Sequence, residues 1–195
     1  MLRAAGAMRL TSMTRGMILC QRHDVNFAQT ASGDLAVNID RVLDLFRCLH
    51  VHQVEYVLIG GMAMSMQGVV RVTEDVDLLV NPSPANIERL RAALRDVWAD
   101  PTISLITAED LSGDYPTVRY GPSDGTLALD IHSRLGSAFA FADIESEDAE
   151  FEGVPIHVAT PRMLYAMKRD TGRPYDQLAA AELHQRFGVG EDDVS

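Results

Sequence analysis

Lysine is almost missing from this chain: 195 residues contain one, Lys168. Arginine supplies every other fixed positive charge, and acids outnumber bases 28 to 17, for a net charge of −11. That balance excludes a broad basic surface able to grip a nucleic-acid backbone unaided. It leaves open a nucleotide or a nucleic-acid end as substrate, because one local basic or metal-filled cleft suffices. Cysteine is scarce as well. Cys20 and Cys48 cannot build a disulfide scaffold in a chain this size, and they read as free thiols in a reducing cytoplasm. No apolar run approaches the ~20 residues of a membrane helix, so no membrane association is expected. Met17 to Cys20 is the longest apolar run before His23, too short for the centre of a secretory signal, which needs about 7–15 residues. Internal repeats and low-complexity linkers are absent too.

What is present is a hydrophobic content of 47%, ordinary for one globular domain with a small appendage. Residues 1–33, with several early methionines and no acid before Asp24, are expected to form a peripheral extension. Residues 34–160 form the expected core, 161–188 a C-terminal helical segment and 189–195 a tail. Asn38 caps a helix whose apolar positions are Ile39, Val42, Leu43, Phe46 and Leu49. His50 and His52 fall at its end, a place that suits histidine better than a two-ligand metal site does. A strand from Glu55 to Ile59 leads into a short helix with core methionines 62, 64 and 66, ended by Gly68. Asp75 to Val80 is the next strand, broken by Asn81-Pro82-Ser83-Pro84. The helix that follows uses Ile87, Leu90, Leu94 and Val97, with Arg89, Arg91 and Arg95 outward. Residues 103–106 are expected to be a strand. Thr117 to Tyr120 and Thr126 to His132 read as a hairpin. Asp143 to Glu152 reads as a solvated acidic loop. A strand over 154–158, a helix capped by Thr160 and a last helix over 175–187 complete the pattern.

The stretch that organises the rest is Tyr56–Val80. An apolar strand ends on Gly60-Gly61, and a later strand opens with Asp75-Val76-Asp77. Alternation sends Asp75 and Asp77 to one side and Val76 and Leu78 to the core. Carboxylates held side by side repel unless a cation neutralises them, and Mg²⁺ favours carboxylate oxygens and substrate phosphates. A glycine pair between strand and helix lets backbone amides approach an anion. Asp130, flanked by Leu129 and Ile131, is a third acid on the polar face of a strand, a setting where aspartate is depleted. His132 shares its face. Trp98 reads as packing.

Taken in order, Gly60-Gly61, Arg71-x-Thr73-x-Asp75-x-Asp77, Leu129-Asp130-Ile131 and Lys168…Gly172-Arg173-Pro174-x-Asp176 resemble the minimal nucleotidyltransferases of the polymerase-beta superfamily. The resemblance spans about residues 38–187 and is nearest to the branch containing AbiEii-type toxins. It implies an α/β (α+β) fold: a small mixed sheet flanked by helices, with a C-terminal helical segment. It further implies an enzyme that moves NMP from an NTP donor to an acceptor hydroxyl and releases pyrophosphate. Asp75, Asp77 and Asp130 would be catalytic and would bind two Mg²⁺ ions, with Mn²⁺ as a substitute. Gly60, Gly61, Arg71, Thr73, Lys168 and Arg173 would contact the nucleotide, while Asp176 would be structural, paired with Arg173 or a neighbour. The acceptor stays open between tRNA, a small molecule such as an antibiotic, and a protein hydroxyl, and an antitoxin-like protein partner is implied. Two competing readings are a catalytically inactive nucleotide- or partner-binding module and a D-x-D glycosyltransferase. The second fits poorly with so short a chain and with this position of the glycine turn.

Overall fold

Asn38 starts the first helix as its side chain suggests: its carboxamide oxygen accepts from the backbone N–H of Arg41. The computed structural model describes residues 38–69, 73 and 75–190. The extension expected over residues 1–33, Cys20 and Arg71 lie outside them. Helix α1 (Ile39–Val51) buries Val42, Leu45, Phe46, Cys48 and Leu49, while Ile39 remains half exposed at its first turn. His52, just past its end, hydrogen-bonds Asp96 at 2.7 Å, a structural role. Strand β1 (Tyr56–Ile59) is buried on both faces and passes directly into helix α2 (Gly60–Met66). Met64 is fully buried there, and Gly68 follows the helix at φ +79.

Strand β2 (Asp75–Val80) pairs antiparallel with β1, setting Ile59 opposite Asp77. Helix α3 (Pro84–Val97) presents the expected face, with Ile87, Leu90, Leu94 and Val97 buried. It also buries Asn86, whose carboxamide accepts from Glu55 N–H and donates to the carbonyls of Glu55 and Asn81, stitching helix to strand. The strand expected over 103–106 is instead a 3₁₀ helix, Pro101–Leu105. Pro101 sets its first turn, Asp100 caps it by accepting from Thr102 N–H, and Ile103 and Ile106 are buried three apart rather than alternately.

Strands β3 (Thr117–Tyr120) and β4 (Ala128–His132) form the expected antiparallel pair, and a small hairpin, β5 (Arg134–Leu135) with β6 (Phe139–Ala140), follows. The acidic stretch expected as a loop is largely strand β7 (Ser146–Phe151), preceded by a 3₁₀ turn at Phe141–Asp143. β7 pairs along its whole length with β8 (Val154–Ala159). Its acids sit on an exposed sheet edge, where charge discourages pairing with another chain, while Ala149 and Phe151 turn toward the core. Helix α4 (Pro161–Arg169), capped by Thr160, packs against α5 (Pro174–Phe187).

The main sheet runs β3-β4-β2-β1-β8-β7. β2 with β4 and β1 with β8 are parallel, and the other neighbours are antiparallel, so the sheet is mixed as expected. Two central strands thereby start side by side, and both carry acids. Among the described residues no helix is long and apolar enough to cross a membrane.

Candidate active site

β2 and β4 run parallel in a register that places Asp77 directly opposite Asp130 and Asp75 opposite Ala128. On β4 the even positions 128, 130 and 132 are half-buried, while Leu129 and Ile131 are sealed in the core. On β2, Val76 and Leu78 are likewise sealed, and Asp75 and Asp77 share the side of Asp130. The three predicted acids therefore meet on one face, from two rigid neighbouring strands.

Gly60 closes the other flank. It holds φ +70, a conformation that suits glycine, and a Cβ built there would lie 1.8 Å from Asp77 Oδ2. A Cβ on Gly61 would meet the Thr73 side chain at 2.9 Å. The glycine pair thus makes room for the side chains it faces as well as exposing backbone. The Thr73 hydroxyl lies 3.0 Å from the carbonyl oxygen of Asp75 and 3.1 Å from its Oδ1, so it fixes the start of the acidic strand.

Two further side chains complete the cluster. His132 Nε2 is 3.8 Å from Asp77 Oδ1, and its Nδ1 is hydrogen-bonded to the Thr117 hydroxyl at 2.9 Å. Arg119, on β3 and in register with Asp130, donates from Nη1 to both Asp130 oxygens at 2.8 and 3.2 Å and lies 3.7 Å from Asp75 Oδ2. Sequence reasoning missed Arg119. Pairing the hairpin arms symmetrically about residues 121–125 would set it across from Leu127, and only the true register brings it to Asp130.

Electrostatics show how crowded the acids are. Partial burial pushes the Asp130 carboxyl above its ordinary range; Arg119 pulls back, Asp77 and Asp75 push it up again, and His132 opposes them weakly. The negative charge is in excess among the described residues, and the group now answering it is a guanidinium. Among the described residues no three acids, histidines or cysteines close into a ready cation cage. The donor set nevertheless suits a hard oxygen-seeking cation: carboxylates on adjacent strands, surplus charge, and a positive group already bound between Asp130 and Asp75.

Lys168 and Arg173 share one partner, Asp176. Lys168 Nζ bonds Asp176 Oδ1 at 2.9 Å, and Arg173 Nε approaches Asp176 Oδ2 at 2.6 Å, joining α4 to the start of α5. Thr171 donates its hydroxyl to the same carboxylate. Asp176, only 7% exposed, is the structural residue expected from sequence, with both cations as partners. Trp98 is packing, buried edge-on to Tyr120 with ring centroids 5.8 Å apart.

Comparison with known proteins follows the same line. The family model described as nucleotidyl transferase AbiEii toxin, type IV TA system, matches residues 43–171, well over half of the chain. A candidate nucleotidyltransferase from Thermotoga maritima, solved by crystallography, superposes with a TM-score of 0.50 at 14% identity, over 76% of this chain and 93% of that one. At that identity the likeness speaks to the fold. ANT(2″)-Ia, solved in complex with adenylyl-2″-tobramycin, aligns with a TM-score of 0.48 at 14% identity, over 80% of this chain and 93% of that one. No curated protein sequence matches.

Proposed function

From the premise that this chain belongs to the AbiEii nucleotidyltransferase family, and so is a transferase, we propose that Asp75, Asp77 and Asp130 are its reaction centre. The observation that carries the reading is the in-register pairing of Asp77 with Asp130, with Gly60 pressed against Asp77. In the proposed reaction an acceptor hydroxyl oxygen forms a bond to the α-phosphorus of an NTP. The bond from that phosphorus to the oxygen bridging the β-phosphate breaks, pyrophosphate leaves, and the hydroxyl proton passes toward Asp130.

The carboxylates would hold Mg²⁺, with Mn²⁺ as a substitute. Two such ions, when bound, neutralise charge on the attacking and leaving oxygens. Thr73 orients Asp75, and the missing Cβ atoms at Gly60 and Gly61 let Asp77 and Thr73 close on a turn whose backbone amides would face the phosphates. Both cations pair with Asp176, and Arg173, with a side chain three-quarters exposed, is better placed than the more buried Lys168 to exchange that partner for a phosphate.

The family description motivates the rest: we read the chain as the toxin of a toxin–antitoxin pair, with a protein antitoxin as partner. Its acceptor belongs to one of three classes, a tRNA end, a small cationic molecule or a protein side chain. A net charge of −11 makes a tRNA backbone the hardest of these to hold without a basic partner. Incubating the protein and Mg²⁺ with cell extract and each of the four NTPs, labelled at the α-phosphate, identifies the acceptor by the molecule that gains label. Label that stays in free nucleotide with all four NTPs, with and without a purified antitoxin, contradicts the reading.

A further inference from the structure

Arg119 is the one cation seated in the acidic cluster among the described residues, and nothing in the proposed reaction uses it. Its position is imposed by the sheet, because β3 pairs with β4 in the register that sets it opposite Asp130. A single nitrogen, Nη1, touches both oxygens of Asp130 and comes within 3.7 Å of Asp75. A divalent ion bridging the two carboxylates would need the place that Nη1 now fills, and even on the remaining lone pairs it would face a fixed positive charge a few ångströms away. Arginine cannot yield by losing its proton, since it stays charged at any physiological pH. It can yield only by moving. Its side chain is 62% exposed, on a strand at the edge of the sheet, so rotation into solvent meets little packing.

We propose that Arg119 holds the carboxylates of Asp130 and Asp75 together in the metal-free enzyme, and that divalent ions bind by displacing its guanidinium. The inference rests on reading the acidic cluster as a metal site. It assigns Arg119 a positioning role with two opposed effects. It relieves repulsion among three acids while the site lacks an ion, and it raises the ion concentration needed to fill the site.

The test is direct ion binding by the nucleotide-free full chain, with Mn²⁺ as the probe and free Mn²⁺ read by electron paramagnetic resonance. Arg119→Gln removes the competing charge and should bind Mn²⁺ about tenfold more tightly than wild type, the value of one charge-assisted contact that no longer has to be broken. Arg119→Lys keeps a point charge without the fork and should fall between the two. In EDTA, Arg119→Gln should melt below wild type, and saturating Mn²⁺ should erase the difference. An affinity in Arg119→Gln equal to or weaker than that of wild type, where wild type binds the ion, overturns the competition while leaving the metal site standing. Wild type and both variants all failing to bind Mn²⁺ overturns the metal reading and this inference with it.

Discussion

Gly60 and Asp77 are built for each other: only a residue without a Cβ at 60 leaves the Asp77 carboxylate where it lies. Any Cβ at position 60 would overlap the Asp77 carboxylate, and φ +70 would strain it further. Gly60→Ala should therefore cost about 1–3 kcal/mol of stability and should displace Asp77 from the cluster. The fold should survive and transfer should fall by about a hundredfold, the usual cost of misplacing a reacting group by an ångström. Thermal melting and turnover measured on the same preparation check both halves. Asp77→Asn acts differently. It removes a negative charge that pushes on Asp130, so the metal-free protein should melt no lower than wild type, and by up to a few degrees higher. A clear drop in the melting temperature would mean that Asp77 holds the fold together rather than serving chemistry.

Helices α4 and α5 meet around one buried carboxylate, and that junction carries its own prediction. Burial alone would push the Asp176 carboxyl up, but the hydrogen bonds from Lys168 and Thr171 and the charges of Lys168 and Arg173 outweigh it and hold it below the usual range. A carboxyl depressed in the folded state contributes stability that is fully present above its unfolded value, near 4, and lost as pH falls through the folded value. Asp176→Ala should thus cost about 3 kcal/mol at pH 7, because Lys168 is left half-buried without its partner. The gap between wild type and Asp176→Asn should close as melts are repeated from pH 7 down through pH 4 and below. A gap that stays constant over that range would contradict the clasp.

The elements also show what could be read from the chain alone. Caps, proline positions and apolar spacing marked α1, α3, α4 and α5, because each signal is local. Asp75, Asp77 and Asp130 were legible because aspartate in a strand needs a reason. The 3₁₀ helix at Pro101–Leu105 and the edge strand β7 were not legible. Ile103 and Ile106 fit either period, and the acids of β7 hide an alternation that matters only once β8 pairs with it. Arg119 needed the register of a hairpin with a long turn, which no local rule sets.

At the scale of the whole molecule, a strongly acidic protein places three acids close together at the start of two parallel central strands and, among the described residues, answers them with one arginine. Such an arrangement should gain stability from its ligands. An NTP with Mg²⁺ present at a hundred times its Kd should stabilise the fold by about 2.7 kcal/mol, a rise of several degrees in Tm that neither partner alone reproduces. No rise with any of the four NTPs would argue against nucleotide binding by this cleft.

The most direct test of the carboxylate centre is pyrophosphate release in extract with each NTP, for wild type, Asp77→Asn, Asp130→Asn and the double variant. Residues that act as one unit fail together, so each single variant should lose at least about a hundredfold and the double should be no worse than the poorer single. Singles that keep activity within a few-fold of wild type, or losses that simply multiply in the double, would contradict a shared centre built on Asp77 and Asp130.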